Sequence, residues 1–451
     1  MAKRTLVVIG GDAAGMSAAS QVRRNDPERE IIVYERGEHT SYAACGMPYL
    51  VAGLVDRPEQ LVARRPEVFR ERQNIQALTH HEAFEIEPQG QRVRVRRLED
   101  GCEFWQSYDD LLIATGALPI IPELEGARAE GVYALKDLAS GIALTRYVQE
   151  AQPRRAVIIG GGYIGIEMAE ALRLRGIETA LVHRGPQVMA TLDVEMGALA
   201  SRALTELGVT LYLGEALVGF ETQAGRVRAV VTAQRTLPAD LVILGMGIRP
   251  NSDLARAAGI PLGVQGAIRV SPQMQTGAHH VWAAGDCAES MHLVSGEPVY
   301  VALGTVANKT GRIAGLNLTG APTAFPGVLG TAITKVGETE IARTGLQTRE
   351  CERLGIAYTT AQIASSTRAG YYPGAREIAV RLLAERATGR LLGGQIVGGP
   401  GSGKRIDTIA AALTARLTAQ DLVDMDLSYA PPFSPVWDPV QTAARVLLRS
   451  G

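Results

Sequence analysis

Apolar residues gather in short runs that stop at glycine-rich turns and resume with helical spacing. Residues 5–9 carry a β-branched strand signal, residues 10–15 a turn that opens a helix over 13–25, and residues 31–35 a second strand. The same order returns at 156–159, at the turn 160–165, in a helix through Leu174 and in a strand at 179–183. Strand, helix and strand occurring twice predict a duplicated βαβ unit with parallel strands. Between the copies, residues 91–97 alternate as a strand, and residues 111–116 form an apolar strand closing on a small turn that Pro119 and Pro122 end. Residues 149–155 read as a linker into the second copy. Residues 241–247 lead to Arg249-Pro250-Asn251, and residues 281–286 form a further strand ending in Gly285-Asp286. From about Thr323 no such turn recurs, and that stretch reads as a separate α+β domain.

The turns carry the first chemistry. Glycines there let a pyrophosphate approach the backbone at a helix N-terminus, where free amides and the helix dipole favour negative charge. In Gly10-Gly11-Asp12-Ala13-Ala14-Gly15 the middle glycine is replaced by Asp12, but Glu35 at the next strand end is placed to accept hydrogen bonds from ribose hydroxyls. A plain structural turn is the alternative. Gly160, Gly162 and Gly165 have the full spacing, and the following strand ends in His183 and Arg184 instead of an acid. A cation there suits a 2′-phosphate, so NADPH is expected first, with NADH still able to bind. One charge-assisted contact contributes about 1.5–3 kcal/mol, a preference of roughly ten- to a hundredfold. Arg184 as an ordinary solvated residue is the competing reading.

Composition narrows the class. The 451 residues suffice for about three domains, and 46% hydrophobic residues with 21% charged and a net charge of -1 are those of a globular chain. Basic residues are scattered among acids, so no nucleic-acid partner is expected. No apolar run spans a bilayer, and the one near the N-terminus is too short for a signal peptide. The four cysteines, Cys45, Cys102, Cys287 and Cys351, form neither a C-x-x-C pair nor a metal cluster, which suits a cytoplasmic protein with mostly free thiols. The pairs His80-His81 and His279-His280 lack companion ligands, so no metal is expected.

One cysteine has distinctive surroundings. Cys45 lies in Ser41-Tyr42-Ala43-Ala44-Cys45-Gly46-Met47-Pro48-Tyr49, where Pro48 suits the first turn of a helix. A thiol at that helix start would have its thiolate stabilised by unpaired amides. The alternative is a buried structural cysteine. For Cys102, Cys287 and Cys351 an inert core or surface thiol is expected.

The two turns, Leu112-Ile113-Ala114-Thr115-Gly116, Val281-Trp282-Ala283-Ala284-Gly285-Asp286 and the Cys45 segment together resemble the pyridine nucleotide-disulfide oxidoreductase superfamily over essentially the whole chain. Members with an internal disulfide carry C-x-x-x-x-C, but the fifth residue after Cys45 is Leu50. The chain therefore resembles the single-cysteine branch, most nearly coenzyme A-disulfide reductase. That resemblance implies two Rossmann-like three-layer dinucleotide-binding domains, FAD over 1–118 and 249–322 and NAD(P)H over 150–248, with a C-terminal α+β dimerisation domain over 323–451. It implies FAD contacts at Gly10, Gly15, Glu35, Thr115, Gly116, Gly285 and Asp286. It implies NAD(P)H contacts at Gly160, Gly162, Tyr163, Gly165, His183, Arg184 and Gly247, with Tyr163 as a gate over the flavin.

By the same resemblance Ser17, Gln21, Arg24 and Ser41 bind coenzyme A, either as substrate or as a mixed disulfide on Cys45. Without it, the helix residues Ser17, Gln21 and Arg24 would read as a solvated polar face. Tyr371 and Tyr429, from Gly370-Tyr371-Tyr372-Pro373-Gly374 and Ser428-Tyr429-Ala430-Pro431-Pro432, would reach the active site of a partner subunit in a homodimer, with Tyr429 as proton donor and Tyr372 as the alternative to Tyr371. Plain interface packing is the competing view of both segments. Two positions depart from the relatives. Ala13 stands where peroxidases and water-forming oxidases have histidine, and Ala44 where many relatives have asparagine. The readings left open are an NADH oxidase, a polysulfide or persulfide reductase, and a non-catalytic flavin redox sensor. Persulfide reductases often resemble this chain with a rhodanese domain appended, and none follows Gly451, which counts against that reading.

Gly398-Gly399-Pro400-Gly401-Ser402-Gly403-Lys404-Arg405 mimics a phosphate loop but ends in arginine, which offers no hydroxyl to magnesium. No strong apolar strand leads into it, so a plain glycine-rich loop entering a helix is expected.

Overall fold

The computed structural model describes residues 4–449. The reading of the N-terminus as no signal peptide falls partly on residues 1–3, outside the described ones. Two five-stranded parallel sheets of the same design form the first two-thirds of the chain. In the first, the spatial order is Val281–Ala283, Asp110–Ile113, Thr5–Ile9, Glu30–Tyr34 and Gln76–Leu78. In the second it is Val132–Tyr133, Leu241–Leu244, Arg155–Ile159, Glu178–His183 and Thr210–Leu213. In each sheet the chain reverses its direction of travel beside the strand that feeds the glycine turn, the crevice where open α/β sheets bind ligands.

Both central strands are apolar on both faces because each sheet is covered twice. Leu6 and Val8 pack under the helices Ala13–Asn25 and Gly304–Leu318, while Val7 and Ile9 meet an antiparallel sheet of His81–Glu87, Arg92–Arg97 and Glu103–Ser107. The second unit repeats this layering. Ile158 faces helices, and Val157 with Ile159 meet the antiparallel strands Leu217–Gln223, Arg226–Thr232 and Thr236–Pro238. These are the expected three-layer, Rossmann-like folds.

The third sheet is antiparallel, in the order Ala332–Val336, Thr339–Gly345, Leu391–Gly398, Glu377–Glu385 and Tyr358–Ser366, backed by the helices Ile406–Thr414 and Pro439–Leu447. It is the expected α+β unit. It docks on the second unit through polar contacts: Asp193, itself buried, accepts from Arg381 Nε at 2.7 Å and from Thr348 Oγ1 at 2.7 Å, and Lys335 pairs with Glu170 at 2.6 Å. Losing one side of a buried pair costs about 3–5 kcal/mol, so the Asp193 contacts fix this orientation strongly.

Two expectations need correcting. Residues 149–155 are no linker: the helix Leu138–Ala151 runs into them and the strand Arg155–Ile159 ends them. The helix stops at Gln152, whose φ of +46° is the left-handed conformation that glycine usually supplies, so the sequence lacked the usual stop signal. The strand Leu391–Gly398 is buried and leads directly into the glycine-rich loop, contrary to the expectation that no apolar strand does. Gly393 and Gly394 disguise it as a turn. A Cβ on Gly393 would lie 1.9 Å from the Leu346 carbonyl oxygen, so close backbone packing demands glycine there.

Candidate active site

The two glycine turns share one geometry. Gly10 has φ +107° and Gly160 +111°, values that exclude a side chain. A Cβ on Gly15 would lie 1.9 Å from the Gly10 carbonyl oxygen, and one on Gly165 equally close to that of Gly160, which is the close helix-to-strand approach a pyrophosphate cradle needs. A Cβ on Gly162 would meet nothing within 4 Å, so the space before the second helix is open to a ligand. Gly11 N–H donates to Glu35 Oε2 at 2.7 Å, and Gly161 N–H donates to His183 Nδ1 at 3.2 Å. The strand registers place Glu35 and His183 at the same position of the two units. Burial and the Arg184 charge push the His183 imidazole below its ordinary pKa, so a neutral ring accepts that bond. Arg184 is exposed and forms no ion pair among the described residues. These cradles fit a dinucleotide in each unit.

The remaining cofactor candidates tie the chain together around the first turn. Thr115 Oγ1 donates to the Asn251 carbonyl at 2.6 Å, and Asn251 N–H donates to the Gly116 carbonyl at 2.9 Å. Gly285 N–H donates to Thr310 Oγ1 at 3.0 Å, and Asp286 pairs with Lys136 at 3.4 Å. Gly247 carbonyl accepts from Ile120 N–H at 3.0 Å beside the second turn. Tyr163 opens the helix Tyr163–Leu174, partly buried, where burial raises its phenol above the ordinary range.

Cys45 occupies a short 3₁₀ turn, Ala44–Gly46, ahead of the helix Met47–Ala52, whose first turn contains Pro48 as the sequence suggested. The loop rests on the first glycine turn: Ser41 N–H donates to the Gly11 carbonyl at 2.9 Å, and Tyr42 N–H donates to Asp12 Oδ1 at 3.1 Å. Ser41 itself has φ +49°. Cys45 is exposed and free, and the buried Leu50 stands where a second sulfur would have to be.

The expected stabilisation of a thiolate by backbone amides is present at Cys45 but outweighed. Crowding by surrounding protein raises the Cys45 thiol above its ordinary pKa, Glu167 and Asp286 raise it further, and Lys136 opposes them. Sequence reasoning missed Glu167 and Lys136, which lie far along the chain and converge on the sulfur only through the fold. Glu167 sits one turn after Tyr163, accepts from Thr334 Oγ1 at 3.0 Å, and is pushed up by burial. Asp12 is raised to about 6, by burial first and by Glu35, against the Tyr42 amide and Lys136.

On the helix Ala13–Asn25, Gln21 is buried beneath Gly315 and accepts from Arg24 Nη2 at 2.8 Å, while Ser17 Oγ donates to Asn308 Oδ1 at 2.8 Å. This is no simple solvated face. Arg24 borders an open depression of about 540 Å³ lined by Ser20, Arg23, Arg64, Glu71, Arg72 and Asn74, a basic surface the sequence did not reveal.

The two tyrosine segments adjoin. Ala369 N–H donates to the Pro431 carbonyl at 3.1 Å, and the proximity of the Tyr371 phenol raises that of Tyr429. Tyr371 is 78% exposed, whereas Tyr372 lies under the Arg368 guanidinium. The loop 398–405 is no phosphate site: Glu340 already fills it, accepting from Gly401 N–H at 3.0 Å and Gly403 N–H at 2.6 Å. Among the described residues no group of three or more His, Cys, Asp or Glu could hold a metal ion, and no helix is long and apolar enough to cross a membrane.

The sequence profile of the pyridine nucleotide-disulphide oxidoreductases matches residues 4–310, and that of their dimerisation domain matches residues 331–439. The chain belongs to the pyridine nucleotide-disulphide oxidoreductase family. This flavoprotein family works with FAD and NAD(P)H, two dinucleotides for which the two cradles have room. Among relatives, the NAD(P)H coenzyme A polysulfide/persulfide reductase of Pyrococcus horikoshii is 43% identical over 446 residues, covering 99% of this chain and 98% of its own length. An NADH oxidase of Methanocaldococcus jannaschii is 33% identical, covering 98% of each. The crystal structure of reduced Bacillus anthracis CoADR-RHD superposes with a TM-score of 0.96 at 34% identity, over all of this chain and 81% of that one. The family resemblance and the fold class read from the sequence therefore stand. One sequence argument does not: a persulfide reductase need be no longer than this chain, because the Pyrococcus relative is matched almost end to end.

Proposed function

We propose that the protein is an FAD-dependent NAD(P)H reductase of coenzyme A disulfide and related low-molecular-weight disulfides and persulfides, acting through Cys45 alone. The observation that carries this reading is the isolation of that thiol. Cys45 is exposed beside the first dinucleotide turn, Cys287 and Cys351 are buried, and Cys102, exposed as well, lies in the separate antiparallel sheet, on the turn before Glu103–Ser107. With no internal partner, the second sulfur must come from the substrate. The coenzyme A in the name of the Pyrococcus relative, and the basic depression beside Arg24, favour a substrate carrying phosphates.

Gly10, Gly15, Glu35, Thr115, Gly116, Gly285 and Asp286 would hold FAD, and Gly160, Gly162, Tyr163, Gly165, His183, Arg184 and Gly247 would hold NADPH in preference to NADH. When bound, FAD supplies a relay that takes a hydride from the nicotinamide and returns an electron pair to a sulfur–sulfur bond. Cys45, left as a thiolate each time its mixed disulfide is opened, attacks one sulfur of the next disulfide, forms a mixed disulfide and expels the other half as a thiolate. Tyr429 protonates that thiolate, and Ser17, Gln21, Arg24 and Ser41 hold the coenzyme A half in place. Two electrons from NADPH then open the mixed disulfide, so NADPH, one proton and one disulfide become NADP⁺ and two thiols. Tyr371 and Tyr429 would act on the site of the partner subunit in a homodimer, the assembly that the dimerisation-domain match supports.

Mass spectrometry of protein purified without reductant tests this directly, with a coenzyme A adduct expected at Cys45. Cys45→Ser should abolish coenzyme A disulfide and persulfide reduction while leaving NADPH oxidation by an artificial electron acceptor. Normal disulfide turnover by that variant would overturn the reading. The NADH oxidase alternative predicts oxygen uptake faster than thiol release, and Ala13 provides no acid for it.

A further inference from the structure

The glycine-rich loop 398–405 takes no part in the proposed reaction, yet its last residue is held in an unusual position. Arg405 and Asp438 are each only 13% exposed, and Arg405 Nε donates to Asp438 Oδ2 at 2.9 Å. The guanidinium also donates to three carbonyls: Thr367 at 2.9 Å, Phe433 at 2.6 Å, and Gly401 of its own loop at 2.5 Å. Thr367 precedes Tyr371 by four residues, and Phe433 follows Tyr429 by four. One side chain therefore grips both tyrosine segments at their bases, and Ala369 N–H, donating to the Pro431 carbonyl at 3.1 Å, joins the two segments again nearer the tyrosines. Its own loop is fixed to the sheet by Glu340, which accepts the Gly401 and Gly403 amides, and Asp438 is fixed as the cap of the helix Pro439–Leu447 through Val440 N–H at 2.9 Å. Only a planar fork with several donors can bridge these acceptors at once, which a lysine cannot do.

We infer that Arg405 is a positioning residue for the proposed proton donor, clamping the two tyrosine loops so that Tyr371 and Tyr429 present one fixed pair to the partner subunit. The inference rests on the reading of Tyr429 as the donor to the leaving thiolate. It explains why this loop ends in arginine where a phosphate loop would need a hydroxyl: the guanidinium is required for the clamp, and the loop's own amides are occupied.

The test uses the FAD-loaded dimer with Arg405→Lys, Arg405→Gln, Tyr429→Phe and the double variants, measuring kcat and KM for coenzyme A disulfide. A positional fault at a proton donor costs rate rather than binding, so both Arg405 variants should lower kcat by on the order of tenfold, with KM changed by less than about twofold. Adding Arg405→Lys to Tyr429→Phe should cost nothing more, because both remove the same contribution. The same factor lost again in the double variant, or parent-like turnover of Arg405→Lys beside an impaired Tyr429→Phe, would overturn the inference alone. Parent-like turnover of Tyr429→Phe would instead overturn the proton-donor reading and this inference with it. Should Arg405→Gln fail to dimerise, Arg405→Lys and Asp438→Asn, which loosens the clamp from its other side, carry the same comparison.

Discussion

At the scale of single residues the site is governed by carboxylates that the linear pattern does not bring together. Asp12 takes the place of a turn glycine and is raised to about 6 from the 3.8 of an unfolded aspartate. The folded chain thus binds its proton more tightly, so this stability is complete below the unfolded value and is lost as pH rises through the folded one, costing about 3 kcal/mol at neutrality. Asp12→Asn should unfold in urea like the parent near pH 3.5 and resist it increasingly up to about pH 7; a gap independent of pH would show that Asp12 is not its source. For Cys45 the expected direction is opposite to that of an activated thiol. Alkylation should titrate above the range of a free cysteine, and Glu167→Gln should lower the midpoint by removing one of its carboxylates. Arg184→Ala should raise KM for NADPH roughly ten- to a hundredfold and leave that for NADH nearly unchanged. The tight glycine turns, and the meeting of Glu35 with the first of them, were legible because local spacing expresses them. Glu167 and Lys136 were not, since their approach to the sulfur depends on how distant elements pack.

At the scale of elements, each glycine turn does two separable things. Gly165 permits the helix to touch its strand, and Gly162 leaves room in front of the helix. Gly165→Ala must overpack the junction and should cost about 1–3 kcal/mol of stability together with nucleotide binding. Gly162→Ala meets no protein atom, so the melting temperature should hold while KM for NADPH rises at least tenfold; loss of both in each variant would refute the division of labour. The duplicated units were readable because a strand, a turn and a helix each have a period. The helix end at Gln152 and the strand through Gly393 and Gly394 escaped because each breaks its local code for a tertiary reason. The left-handed Gln152 is tolerated without glycine, and the two glycines of the strand serve close packing rather than a turn.

At the scale of the whole molecule, the first two units repeat one layered plan, and the C-terminal unit binds the second through Asp193, Arg381 and Lys335 while its loops turn Tyr371, Phe433 and Val436 outward. Phe433 is 74% and Val436 70% exposed, apolar residues that sit beside the tyrosine pair and suit a covered face better than an open one. The outward direction of that pair has a consequence for genetics. If every reaction centre borrows its tyrosine from the neighbouring copy, two different lesions can heal each other. A hybrid assembled from one Cys45→Ser chain and one Tyr429→Phe chain would concentrate both defects in one centre and leave the other intact, restoring about half of parental turnover from two impaired parents. Such complementation, sought by co-expressing the variants under different affinity tags, would be absent if each polypeptide served only itself.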